Sequence, residues 1–233
     1  MFRFSKDIGE NMFRVEDKYI LPANDFFELQ KRLSPVMHPD AFSKNGQGYD
    51  ISSVYFDDPE DSAWQDGIDG VPIRTKYRIR VYNGDFSVIK LEVKHKRYNR
   101  IAKLSETISP EEMISYLHGE TGAWNVGDAR DEFNLAVSRK GILPKVIVSY
   151  HRKAFACMAG NVRITFDEQI AASCRIDLFE KGIIAKERPA PTNYILEIKY
   201  DQFLPDYIRQ LLESEHLLKE SFSKYGICRE CCQ

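Results

Sequence analysis

Along much of this chain, charged and apolar residues alternate with a period of two. Residues 74–82 read RTKYRIRVY, with Arg74, Lys76, Arg78 and Arg80 on one parity and Tyr77, Ile79 and Val81 on the other. Residues 88–96, VIKLEVKHK, set Lys90, Glu92, Lys94 and Lys96 against Ile89, Leu91 and Val93. Residues 194–200, YILEIKY, bring Glu197 and Lys199 into step. A strand points successive side chains to opposite faces, so each segment predicts a strand with one charged and one apolar face.

The same reading predicts strands over 12–21, 51–58, 98–108, 144–157, 162–170 and 193–200, and a short strand near 173–178. Asn83-Gly84-Asp85 is a hairpin turn signal between the two basic strands. Pro22 opens a helix over 22–33, with Phe26, Leu29 and Leu33 at helical spacing. Ser109-Pro110-Glu111-Glu112 starts another, and helical stretches follow at about 110–118, 129–140 and 205–218. A loop over 36–48 and a flexible stretch through Gly67, Gly70 and Pro72 connect these elements. Strands that neighbour one another along the chain, with a few helices, predict an α+β fold with an antiparallel sheet or barrel. No repeat or long linker interrupts it, so residues 1–233 are expected to form one domain.

The alternation admits two arrangements. In one, the charged faces lie in water over an apolar core, as in many antiparallel sheets. In the other, the sheet closes into a barrel whose lumen is charged and whose outer face is covered by helices. The density of positive charge separates them. Arg74, Lys76, Arg78 and Arg80 would face Lys90, Lys94 and Lys96 across the hairpin, and like charges directly opposite destabilise a sheet. A site for a polyanion has a reason to carry that repulsion, because the ligand relieves it.

Composition narrows the classes of function. The 233 residues are 43% hydrophobic and 29% charged, with a net charge of −2, which fits a globular protein with a real core. No global basicity points to nucleic acid. No apolar run suggests a membrane span, and the N-terminal stretch lacks a signal-peptide core, so a cytoplasmic location is expected. Of five cysteines, Cys157 and Cys174 are expected as free thiols, and Cys228, Cys231 and Cys232 as a reduced, frayed tail. A single CxxC lacks the second pair of a zinc site.

The segments VEDKYIL, VYFDD, KYRIRVY, IKLEVKHK, YHRKAF, VRITFDEQI, LEIKYD and SFSKYG follow one another in an order that resembles the catalytic domain of the vacuolar transporter chaperone (VTC) family. Those polyphosphate polymerases belong to the triphosphate tunnel metalloenzymes, with the CYTH-type phosphatases and cyclases. The resemblance spans about 14–226, leaving 227–233 as a cysteine-containing tail, and Glu16-Asp17-Lys18 matches a shortened ExK signature. It implies a closed antiparallel β-barrel forming a tunnel, with helices packed outside. It also implies manganese (or magnesium) and transfer of the γ-phosphate of ATP to a growing polyphosphate chain.

Under that resemblance, Lys18, Arg78, Arg80, Lys94, Arg152 and Arg163 bind triphosphate or product, and Lys90, Lys103, Lys224 and Arg74 extend the lining. Glu197 is implied as the metal ligand, with Lys199 beside it, while Glu16 and Glu92 bind metal or orient the cations. The chemistry suits these types. Phosphoryl transfer is mainly positioning and charge stabilisation, arginine grips phosphate oxygens with its fork, and one or two carboxylates with phosphate suffice for magnesium or manganese.

Other residues carry plainer expectations. Lys96, Arg97 and Arg100 are expected in solvent, Asp57 and Asp58 at a strand end, and His95 and His151 on the face opposite the charges. Asp167 and Glu168 stay open, Asp167 sharing the parity of Arg163. There is no GxxxxGK[ST] loop and no HExxH pair. A tripolyphosphatase, or a non-catalytic module binding polyphosphate, inositol phosphate or nucleotide, remains the alternative to a polymerase. The implied partners are ATP and inorganic polyphosphate or triphosphate, with a membrane protein as a further candidate; the oligomeric state is left open.

Overall fold

The computed structural model describes residues 13–40, 42–43, 46–124, 127–191, 194–214, 217, 219 and 223–232. The expectations placed on Met12 and Asn193, on Ser221 and Phe222 of SFSKYG, and on the N-terminal stretch before residue 13 lie outside them.

In chain order the elements are β1 (Arg14–Ile20), α1 (Ala23–Leu33), β2 (His38–Pro39), β3 (Tyr49–Asp57), α2 (Ser62–Ile68), β4 (Ile73–Tyr82), β5 (Asp85–Arg97), β6 (Arg100–Ile108) and α3 (Pro110–Leu117). They continue as α4 (Asp128–Lys140), β7 (Leu143–Cys157), β8 (Val162–Ser173), α5 (Ile176–Glu180), β9 (Arg188–Pro189), β10 (Ile195–Tyr200), α6 (Asp206–Leu211) and α7 (Lys224–Glu230). All strand pairs are antiparallel. The order is β2-β7-β3-β4-β5-β6-β1-β10-β8-β9, and β8 pairs back onto β7, closing eight strands into a barrel.

The hairpin between β4 and β5 turns through Asn83 and Gly84, both at positive φ (53° and 66°). That is the two-residue turn whose twist matches the flanking strands. Tyr82 pairs with Asp85 beside the turn, and a bulge between Arg80 and Tyr82 then shifts the register to Arg74↔Lys96, Lys76↔Lys94, Arg78↔Glu92 and Arg80↔Lys90. Three of these four rungs set cation against cation, as the alternation predicts.

The apolar parity faces outward and is covered. Val54, Tyr77, Ile79, Leu91 and Val93 pack against Met113 and Tyr116 of α3 and Phe133 and Val137 of α4. Phe26, Leu29 and Leu33 of α1 cover Ile164, Phe166, Leu196 and Ile198. Fully burying one such side chain contributes about 1.5–3 kcal/mol, so the helices drive the choice of face and the charges are left inside. The start of α3 is the one the sequence announces: Ser109 accepts the Glu112 N–H, and the Glu112 carboxylate accepts the Ser109 N–H.

Four expectations are corrected. The stretch after β3 contains α2, because Asp57 accepts the N–H groups of Ala63 and Trp64. The expected strand at 173–178 is instead the end of β8 followed by α5, whose Phe179 is buried in the core against Phe86. The last long helix stops at Leu211, where Glu213 and Ser214 turn back to bond Arg32 and Asp25 of α1; residues 215, 216 and 218 of that expectation lie outside the described residues. The cysteine tail is not frayed. Most of it belongs to α7, with Cys228 buried among Val146, Val148 and Tyr150, and Cys232 is disulfide-bonded to Cys174, so neither is a free thiol. Cys157, Cys228 and Cys231 are free.

Candidate functional site

The charged parity of the barrel encloses a cavity of about 1110 Å³. It runs from Arg163, Asp40 and Tyr49 at one end to Arg74, Lys96 and Lys219 toward the other. All fourteen residues implied by the resemblance line it: Lys18, Arg74, Arg78, Arg80, Lys90, Lys94, Lys103, Arg152, Arg163, Lys199, Lys224, Glu16, Glu92 and Glu197. Lys96, expected in solvent, is half-buried and lines it too, because its rung with Arg74 lies on the inner face. Arg97 and Arg100 are exposed. His95 and His151 are on the outer face, bonded to Glu132 and Asp50.

The cations are held in two groups. Around Glu92, which is fully buried, Arg78 donates at 2.6 Å and Lys103 at 2.7 Å, with Arg80 at 3.8 Å. Burial opposes the Glu92 charge, but these three cations outweigh it and hold the carboxyl well below its usual range. Across the lumen, Glu16 accepts from Lys94 at 3.0 Å and lies 3.1 Å from Lys18 and 3.2 Å from Lys199. Glu197 lies 2.6 Å from Lys199 and 3.9 Å from Lys224. Burial and the mutual repulsion of Glu16 and Glu197 favour their neutral forms, yet the surrounding lysines keep both carboxyls depressed.

Lysines outnumber their partners in this second group. Burial, with Lys18 and Lys199 beside it, outweighs the pull of Glu16 and Glu197 on Lys94, which is pushed down to about 7. Lys76 is lowered well below the usual lysine range by burial and by Lys18, Arg74 and Lys94. Among the described residues no carboxylate lies within ion-pair distance of Lys76; its ammonium faces the ring of Tyr225 at 5.4 Å.

The arginines have a further set of holders. Tyr55 accepts from Arg78 at 2.9 Å, Tyr150 and Ser53 from Arg80 at 3.2 and 2.9 Å, and Tyr49 from Arg163 at 2.9 Å. Asp167 takes Arg152 through two bonds of 2.6 and 2.7 Å and Lys224 at 2.6 Å, so this carboxylate anchors β7 and α7 together. Asp40 takes Arg163. Arg74 is bound instead by the carbonyl of Val71 at 2.8 Å, and Lys90 by the Thr107 hydroxyl at 2.7 Å. Sequence reasoning missed Tyr49, Tyr55, Tyr150 and Asp40, and it placed Lys76 on the charged face without giving it a site role. The signal for two was present, since Tyr49, Ser53 and Tyr55 share one parity of β3. Asp40 reaches Arg163 from a loop distant in sequence.

Pre-positioned arginine forks and lysine point charges in a low-dielectric lumen bind chains of phosphate groups strongly. For a divalent metal, Glu197 and Glu16 supply ionised oxygen donors on one side of the cavity, the donor type manganese and magnesium take. Among the described residues no cluster of three or more His, Cys, Asp or Glu side chains is arranged to hold a metal alone, so phosphate oxygens would complete its coordination.

The closed antiparallel barrel with a cation-lined lumen is the triphosphate tunnel fold. The VTC domain model matches residues 13–233, and the chain belongs to that family; the match includes the cysteine segment at its end. A structure of a candidate adenylate cyclase from Bacillus halodurans shares the fold, with 13% identity and a TM-score of 0.51, over 85% of this chain and 84% of that one. The Mimivirus capping enzyme triphosphatase aligns at 12% identity with a TM-score of 0.44, over 88% and 89% of the two chains. Comparison with curated protein sequences gives no match. No helix among the described residues is long and apolar enough to cross a membrane.

Proposed function

We propose that this chain is a metal-dependent polyphosphate polymerase, transferring the γ-phosphate of ATP to the end of a growing polyphosphate chain inside the barrel. The observation that carries this reading is the extent of the cation lining. It continues along β4 from Arg74 to Arg80, roughly 20 Å at the rise of an extended strand, so donor and acceptor phosphates have room to lie end to end.

In this reading Arg78, Arg80, Arg152 and Arg163 grip phosphate oxygens, each oriented by a carboxylate or a tyrosine hydroxyl. Lys18, Lys94 and Lys199 follow the charge as it shifts from the γ-phosphate toward the leaving group. A terminal oxygen of the acceptor attacks the γ-phosphorus, the bond to the bridging oxygen breaks, and ADP leaves with the electron pair. No covalent nucleophile is required. A manganese or magnesium ion held by Glu197 and Glu16 would neutralise phosphate charge and polarise the bond being broken. Glu92, committed to three cations, orients the arginines. Arg74, Lys90, Lys103 and Lys224 extend the electrostatic lining.

The test is incubation of the pure protein with ATP and Mn²⁺, with products separated on a gel stained for polyphosphate and ADP and free phosphate assayed separately. Long chains with matching ADP are expected. Free phosphate without chains would make the protein a triphosphatase, and tight tripolyphosphate binding without turnover would make it a binding module.

A further inference from the structure

The cavity end formed by Arg163 and Arg80 carries a group of aromatic rings that phosphate binding does not use. Phe42, Tyr49 and Tyr82 all line the cavity there. The ring of Phe42 lies nearly parallel to that of Tyr82, at 9° and 6.1 Å between centroids, and 6.2 Å from Tyr49. Tyr82 in turn lies 6.0 Å from the Arg80 guanidinium. Phe42 is 67% exposed, a large apolar surface to leave in water at the mouth of a charged cavity.

Its position is built rather than incidental. Asp40 accepts the Phe42 N–H at 3.1 Å, and the same carboxylate accepts from Arg163 at 2.5 and 3.0 Å. The Ser43 N–H bonds the Asp40 carbonyl at 2.8 Å, and the Ser43 hydroxyl accepts the Gly48 N–H at 3.0 Å. Gly48 sits at φ +89°, where an added Cβ would lie 2.4 Å from the Arg152 carbonyl oxygen, so this end of the loop presses directly against β7. One carboxylate therefore sets both a phosphate-gripping arginine and an exposed aromatic face.

We propose that Phe42, backed by Tyr82, is the stacking platform for the base of a nucleoside triphosphate whose phosphates run inward to Arg163 and Arg80. This rests on the reading of the cavity as a triphosphate site and gives it a direction. The donor nucleotide comes in at the Asp40 end, and its base stays outside the charged lumen. Stacking on an aromatic face is tolerant of base identity, so the platform accepts adenine and guanine alike.

The test is equilibrium titration, in EDTA to stop turnover, of the wild-type chain, Phe42→Ala and Tyr98→Ala with ATP, GTP and inorganic tripolyphosphate. Phe42→Ala is expected to weaken ATP and GTP by roughly tenfold, in line with the loss of one base–aromatic stack, and to leave tripolyphosphate unchanged. Tripolyphosphate binding with ATP unaffected by Phe42→Ala would overturn the platform alone. So would an equal loss for ATP and tripolyphosphate, or a loss of ATP affinity in Tyr98→Ala, whose exposed ring lies on the β5–β6 turn, and not in Phe42→Ala. A wild-type chain that binds neither ligand would overturn the platform together with the triphosphate reading.

Discussion

Arg78 stands directly across the β4–β5 ladder from Glu92 and donates to it at 2.6 Å, the opposite-charge rung among three of like charge. That one carboxylate also serves Lys103 and faces Arg80. The lumen is thus a set of cations kept in place by few anions, and its stability depends on them.

Removing the Glu92 charge should therefore be costly. Glu92→Gln leaves Arg78, Arg80 and Lys103 without their common partner, and breaking a buried ion pair costs about 3–5 kcal/mol. Denaturant melts should show a loss of this order, and tripolyphosphate should raise the Tm of the variant more than that of the wild type. A variant as stable as the wild type would mean that Glu92 does not hold the cluster.

Glu197 separates binding from turnover. Glu197→Gln should lower metal-dependent turnover at least 100-fold while tripolyphosphate still binds in EDTA and the far-UV circular dichroism is unchanged. Full activity in the variant would remove Glu197 from the metal site.

Ligand binding should take up protons. Burial and neighbouring cations lower Lys76, and Lys94 is pushed down to about 7, so at pH 8 most of Lys94 is neutral. A bound phosphate chain raises its pKa, the ammonium form is regained, and affinity increases as pH falls toward the free-state pKa. Calorimetric titration of tripolyphosphate at pH 8, in buffers of different ionisation enthalpy, should show net proton uptake, reduced in Lys94→Met. Buffer-independent enthalpies would contradict a depressed Lys94.

The Cys174–Cys232 bond ties α7 to the end of β8. Closing a loop of 58 residues is worth about 4 kcal/mol in the chain-entropy account. Cys232→Ser, or full reduction, should lower stability by up to that amount. It should also loosen the helix that carries Lys224 and Tyr225, seen as faster hydrogen exchange over 224–232. Such bonds persist where the surroundings are oxidising, so in a reducing compartment the protein would behave as the variant does. Equal exchange rates in the oxidised and reduced protein would show that packing alone fixes α7.

The alternation in 74–82 and 88–96, with the Asn83-Gly84 turn, was enough by itself to define the β4–β5 hairpin and the face its cations share, but not the bulge between Arg80 and Tyr82 that sets its register. Period-two patterning and turn chemistry are local, so they survive in one dimension. The helices at Pro22 and Ser109 were legible for the same reason, through capping and spacing. Which parity faces inward was settled only when α1, α3 and α4 covered the apolar side and β8 closed onto β7. The pairing of Asp40 with Arg163, Tyr150 with Arg80 and Asp167 with Lys224 joins residues 57 to 123 positions apart. So does the bond that pins the cysteine tail to the end of β8. Those contacts depend on how the barrel closes in three dimensions, and no local pattern in the chain encodes them.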